Sequence, residues 1–110
     1  MIPLYKYKCT VLKAVDGDTV DCLVDLGFGV SLKHRFRMAW IDAAELNSGD
    51  PVAKMAKDFM QSKVGSTLFV ESVKADKYGR YLGVFYPITD ISKSINAEMI
   101  ELGIARVYKG

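Results

Sequence analysis

The chain has 110 residues, half of them hydrophobic and a quarter charged, with a formal net charge of +2. Those values fit one soluble globular domain spanning 1–110, large enough for a single core, and no repeat, linker or low-complexity tract suggests a second. So mild a surplus of positive charge does not by itself mark a nucleic-acid binder, although its sign suits a polyanionic partner.

No apolar run is long enough to span a membrane, and Met1–Lys6 lacks the apolar core and small-residue cleavage site of a secretory signal. As written, the chain is expected to be cytoplasmic. It would be secreted or envelope-associated if trimmed from a longer one. No membrane association and no obligate protein partner is indicated.

The first half alternates with the period of a β-strand. Cys9 and Cys22 fall on adjacent strands. A turn centred on Asp16-Gly17 sets Cys9 opposite Val24, so the cysteines are diagonal neighbours and are expected as two small buried thiols. Val20, Cys22, Val24 and Leu26 share one face, with Thr19, Asp21 and Asp25 on the other, until Gly27-Phe28-Gly29 breaks the run. The next strand directs Val30, Leu32, Phe36, Met38 and Trp40 inward, and Ser31, Lys33, Arg35 and Arg37 outward. His34 interrupts the apolar face and reads as a core or rim residue.

Asp50 and Pro51 then open a helix as N-cap and first helical residue. Its stripe of Val52, Met55, Ala56, Phe59, Met60 and Lys63 runs until Gly65. Thr67–Lys74 and Tyr81–Tyr86 predict two further strands joined by an Asp76–Arg80 turn. Ser94–Leu102 predicts a second helix with Ile95, Met99 and Leu102 inside, closed by Gly103. The fold expected is mainly β with α (α+β): a five-stranded OB-type Greek-key barrel with a helix after the third strand and two packed helices in all. An SH3-like barrel is the alternative, but it does not normally carry a three-turn helix there.

Three segments carry the chemistry. Asp16-Gly17-Asp18-Thr19 comes first, Arg37-Met38-Ala39-Trp40-Ile41-Asp42-Ala43-Ala44-Glu45 second and Asp76-Lys77-Tyr78-Gly79-Arg80 third. They supply hard oxygen donors, which calcium and magnesium require, and planar guanidinium forks, which grip two phosphate oxygens at once. Asp18 starts its strand just past the turn and Asp42 ends the Arg37 strand. With these motifs in this order, the sequence resembles the thermonuclease (staphylococcal-nuclease-like) family over roughly residues 8–108.

The resemblance implies that Asp18 and Asp42 are neighbours and hold Ca2+ together with the Ala43 carbonyl. Two adjacent carboxylates repel unless a cation joins them. It also implies that Glu45 orients or deprotonates the attacking water, and that Arg37 and Arg80 converge on the transferring phosphoryl group. Lys77 and Tyr78 would hold a neighbouring phosphate, and Tyr108 would stack on a base, though its alignment is displaced by about one residue. Arg35 is expected to be an auxiliary surface charge.

The sequence departs from the family pattern in three places. Ala43-Ala44 replaces the usual Thr-Pro, which keeps the carbonyl but loosens the loop. The Leu46–Asp50 stretch is short for a substrate loop. A third, C-terminal helix is lacking, so something else must cover that side of the barrel, or the domain pairs with a partner.

The function implied is a calcium-dependent, largely sequence-nonspecific hydrolysis of single- or double-stranded DNA, and of RNA, breaking the 5′-O–P bond to leave 3′-phosphates. A non-catalytic OB-type nucleic-acid or protein binding module is the alternative. The survival of Asp18, Arg37, Asp42, Glu45 and Arg80 together favours the enzyme.

Overall fold

A computed structural model describes residues 5–73 and 81–108. The Asp76–Arg80 turn, with Lys77, Tyr78 and Arg80, lies outside the described residues. The chain runs through strands β1 (Lys6–Asp16), β2 (Thr19–Gly27), β3 (Val30–Met38) and a short β4 (Ile41–Asp42). A 3-10 turn (Leu46–Ser48) and helix α1 (Pro51–Gln61) follow. Strands β5 (Thr67–Val73) and β6 (Tyr81–Pro87), helix α2 (Ile95–Glu101) and a short β7 (Arg106–Val107) complete the order.

The five longer strands close into a barrel in the order β1-β2-β3-β6-β5, with β5 pairing back onto β1 and β3 running parallel to β6. This is the OB architecture expected. The barrel interior is filled by Val11, Val20, Cys22, Met38, Val70 and Phe85, and plugged from outside by Met60 of α1 and Met99 of α2. Cys9 and Cys22 are buried and unbridged, and Cys9 does lie opposite Val24. The hydrogen bond shared with Cys9, and then burial, push the Cys22 thiol far above the usual thiol range.

The first hairpin differs from expectation in a way that matters for Asp18. Asp16 pairs with Thr19, so the two-residue turn is Gly17-Asp18, and two register shifts along β1 restore Cys9 to Val24. Asp18 therefore sits in the turn itself, not on the strand after it. Gly17 is required there for space: a Cβ would lie 2.6 Å from the Cβ of Ala56 and 2.9 Å from that of Ala43. The turn is thus pressed between α1 and the loop that follows β4.

β3 pairs with β6 only over Phe36–Met38, so the far half of the β2–β3 hairpin overhangs the barrel. Leu26, Val30 and Leu32, expected on the inner face, are for that reason 40–51% exposed, and Phe28 at the tip is fully exposed. His34 is a rim residue, packing edge-on against Phe36 and Tyr81 with centroids 5.1 and 4.6 Å away.

Helix α1 starts as its sequence dictates, the Asp50 carboxylate accepting the Val52 amide at 2.9 Å with Pro51 behind it. Its buried positions are Ala53, Ala56 and Met60, while Met55 is exposed, so the inner stripe is narrower than the pattern implied. Small residues are needed where Gly17 approaches. Helix α2 is capped by the Ser94 hydroxyl, which accepts the Ala97 amide. Leu102, expected inside, forms the exposed C-cap, and the chain turns away at Gly103, whose φ is +76°. No third helix occurs among the described residues; the chain after α2 enters β7, which pairs with β4. No helix among them is long and apolar enough to cross a membrane.

Candidate active site

The site is assembled where the first turn meets the end of β3. The Asp18 carbonyl accepts the Met38 amide at 2.8 Å, which ties the turn to β3. The Asp18 side chain is then held by the chain beyond β4, its Oδ2 accepting the Ala43 amide at 2.9 Å. Oδ1 takes only a 3.3 Å contact from the Thr19 hydroxyl.

Arg37 is the last outward-facing residue of β3, as the alternation requires, but it is not a surface residue. Only 8% of it is exposed. Its side chain folds back over the turn that follows: Nη1 donates to the carbonyls of Ile41 (2.8 Å) and Met38 (3.1 Å), and Nη2 donates to Asp42 Oδ1 (3.2 Å). Nη1 also lies 3.5 Å from Asp18 Oδ2. Outward from a barrel is therefore different from outward into water, because β4 and β7 wrap this face. Ile41 pairs with Val107, Asp42 with Arg106, and the Tyr108 amide donates to the Trp40 carbonyl at 2.8 Å. The Tyr108 ring roofs the guanidinium, with 5.5 Å between its centroid and Arg37 Cζ.

Trp40 is the clearest departure from the alternating pattern. Expected in the core, it takes a left-handed backbone, φ +64°, and is 60% exposed. The strand has already ended at Met38, so strand periodicity no longer governs position 40.

The arrangement sets two carboxylates on one guanidinium, Asp18 nearly buried and Asp42 more than half exposed. Its donor chemistry fits a hard divalent cation: Asp18 Oδ1, which takes only the Thr19 contact, and the exposed Asp42 carboxylate are hard oxygen donors. Among the described residues no group of three or more His, Cys, Asp or Glu side chains is placed to hold a metal. A cleft of about 110 Å3 adjoins Asp42, lined also by Asp50, Val52, Ile104 and Arg106. A larger groove of about 510 Å3, with Lys8, Thr10, Asp25 and Ser31 in its wall, includes none of Asp18, Arg37 or Asp42.

Of the residues singled out in the sequence, Asp18, Arg37, Asp42, Ala43 and Tyr108 are brought together. Glu45 is not drawn into the cluster. It caps the 3-10 turn, exposed, its carbonyl accepting from Ser48 and its carboxylate making no hydrogen bond among the described residues. Lys77, Tyr78 and Arg80 lie outside the described residues. Arg35, read as auxiliary, is bidentate to Asp21 at 2.7 and 3.2 Å and holds that carboxyl below the usual carboxylate range.

Three residues were not foreseen: Trp40, Arg106 and Asn96. Asn96 is buried, its Nδ2 donating to the carbonyls of Ala39 and Gly83 and its Oδ1 accepting the Phe85 amide. It pins α2 to β6 and to the turn that Arg37 grips. A polar residue among the apolar positions of a short helix was the available signal.

A family model described as staphylococcal nuclease homologue matches residues 35–110. The chain belongs to this family. Similar proteins include an uncharacterized endonuclease of Haemophilus influenzae, 32% identical over 106 residues, covering 94% of this chain and 54% of the relative. Another uncharacterized endonuclease, from Escherichia coli O157:H7, is 33% identical over 100 residues, covering 90% of this chain and 60% of the relative. A micrococcal nuclease of Shigella flexneri is 32% identical over 111 residues, covering 94% and 59%. The chain thus spans little more than half the length of these relatives.

Proposed function

We propose that this domain is a calcium-dependent nuclease of low sequence preference. It would act on DNA and RNA phosphodiesters and break the 5′-O–P bond to leave 3′-phosphates. The observation that carries this reading is the nearly buried Arg37 guanidinium clamped between Asp18 and Asp42 at the barrel rim. Membership of the nuclease family and the names of its relatives point the same way.

Asp18, Asp42 and the Ala43 carbonyl would hold the cation. When bound, such an ion polarises a phosphate oxygen and makes its water more acidic. Arg37 is oriented before substrate arrives, because two carbonyls and a carboxylate fix its plane. Its Nε has no partner among the described residues, so the Nε–Nη2 edge is the one offered to phosphate oxygens. Preorganised donors of this kind stabilise developing charge with little reorganisation.

In the proposed step, Glu45 takes a proton from the attacking water. The water oxygen bonds to phosphorus as the bond to the 5′-oxygen breaks, and that oxygen is protonated from solvent. Arg80 would act on the same phosphoryl group, with Lys77 and Tyr78 on the next phosphate. Contacts from these residues would go to phosphate and sugar, from which a slight sequence preference would follow.

The test is degradation of supercoiled plasmid and of single-stranded RNA in calcium, in magnesium and in chelator. Cutting in calcium, little in magnesium and none in chelator is expected, because magnesium demands a tighter octahedral shell. Retention on DNA without cutting in any metal would instead leave a binding module.

A further inference from the structure

Trp40 is the one tryptophan of the chain, and neither packing nor backbone comfort explains it. It is 60% exposed and holds a left-handed φ of +64°, which bulky residues seldom adopt. Strained residues of this kind persist where surrounding structure fixes them, often at ligand sites.

The surroundings here are those of the active site. The Trp40 carbonyl accepts the Tyr108 amide, and the Tyr108 ring covers Arg37. Arg37 in turn holds the carbonyls of Met38 and Ile41, on either side of the Ala39-Trp40 pair. The Ala39 amide and carbonyl are both tied down, by Gly83 and Asn96 respectively. The backbone presenting the indole is therefore anchored at every neighbouring residue. Val107 and Tyr108 are themselves exposed, and Arg106 stands opposite Asp42 in the β4–β7 register.

We infer that Trp40 is a stacking platform for an unpaired nucleobase next to the phosphate held at Arg37. The inference rests on the nuclease reading for the position of that phosphate and deepens it by naming the residue that receives the base. An exposed indole face attracts any base, whereas bases in a duplex are already stacked on each other. Stacking of this kind is worth roughly tenfold to a hundredfold in affinity.

Because Trp40 is the sole tryptophan, its fluorescence reports the contact directly. The chain would be titrated in chelator with a short oligothymidylate, with an abasic deoxyribose-phosphate oligomer of equal length, and with a duplex. Quenching by the oligothymidylate, and none by the abasic oligomer, is expected. Trp40→Ala should weaken oligothymidylate binding, by change in anisotropy of a labelled strand, about tenfold to a hundredfold. Trp40→Phe should recover most of it, and abasic binding should not change.

Equal quenching by the abasic oligomer, unchanged affinity in Trp40→Ala, binding of none of the oligomers, or equal quenching by duplex would each overturn the inference. Since no turnover is needed, quenching without cleavage in any metal would remove the nuclease reading and leave the stacking site standing. Cleavage in calcium without quenching by oligothymidylate would do the reverse.

Discussion

Arg37 shows why a charge-conserving substitution at this site is not conservative. Lysine brings three donors at one point and cannot reach two carbonyls and Asp42 while keeping an edge for phosphate. Arg37→Lys is expected to lower the single-turnover rate about a hundredfold to a thousandfold, and to lower the melting temperature as well. Arg35→Lys separates these effects, since Arg35 pairs with Asp21 and touches none of Asp18, Arg37 or Asp42 among the described contacts. It should keep the parent rate. Equal, small losses in both would mean that the arginines only attract the polyanion. Asp42→Ala should abolish turnover while circular dichroism and thermal melting stay near those of the parent, because its carboxylate is 57% exposed and such pairs contribute little to stability. Normal cutting by that variant would place the metal site elsewhere.

At the scale of elements, the site depends on three close approaches: the first turn on α1, α2 on β6, and β7 on β4. Gly17→Ala would push a methyl to within 2.6 Å of Ala56 and 2.9 Å of Ala43, so the turn must move and carry Asp18 with it. Overpacking of this kind costs about 1–3 kcal/mol. Calcium affinity measured by calorimetry should fall with it, and a variant with unchanged stability and affinity would show that the turn has slack. Asn96→Ala should be more damaging to the fold. It leaves the Ala39 carbonyl and the Phe85 amide buried without this partner, at roughly 1–3 kcal/mol each. A chemical-denaturation midpoint close to the parent's would count against that role.

For the whole molecule, acid should act through the Asp21–Arg35 pair on the barrel wall. The hydrogen bond from Arg35 lowers the Asp21 pKa, so its contribution is full above the ordinary carboxylate value and is lost as pH falls through the lowered one. Asp21→Asn should therefore flatten the loss of stability between about pH 5 and pH 2, read from urea midpoints, and an unchanged acid limb would refute it. Calcium should act in the opposite sense. Binding to the folded state alone stabilises it by about 2.7 kcal/mol at a hundredfold excess over Kd. The resulting rise in melting temperature should vanish in Asp42→Ala.

How much of this was legible depends on whether a feature is local. The strands, the Asp50 cap and the break at Gly103 follow from periodicity and backbone chemistry, which act over a few residues, whereas the Cys9–Val24 pairing, expected from a turn at Asp16-Gly17, holds only because two register shifts offset the turn at Gly17-Asp18. The Asp18, Arg37 and Asp42 positions were legible as a motif. What periodicity could not say is that Arg37 faces away from the core yet is buried, since β7 arrives from more than sixty residues later to cover it. Nor could it show that Trp40 leaves the core for the rim, that Val30 and Leu32 overhang the barrel, or that Asn96 staples the turn beneath the site. Side-chain alternation determines which face a residue takes. Only the tertiary fold decides what stands opposite that face, because burial and hydrogen-bond partners come from segments distant in the chain.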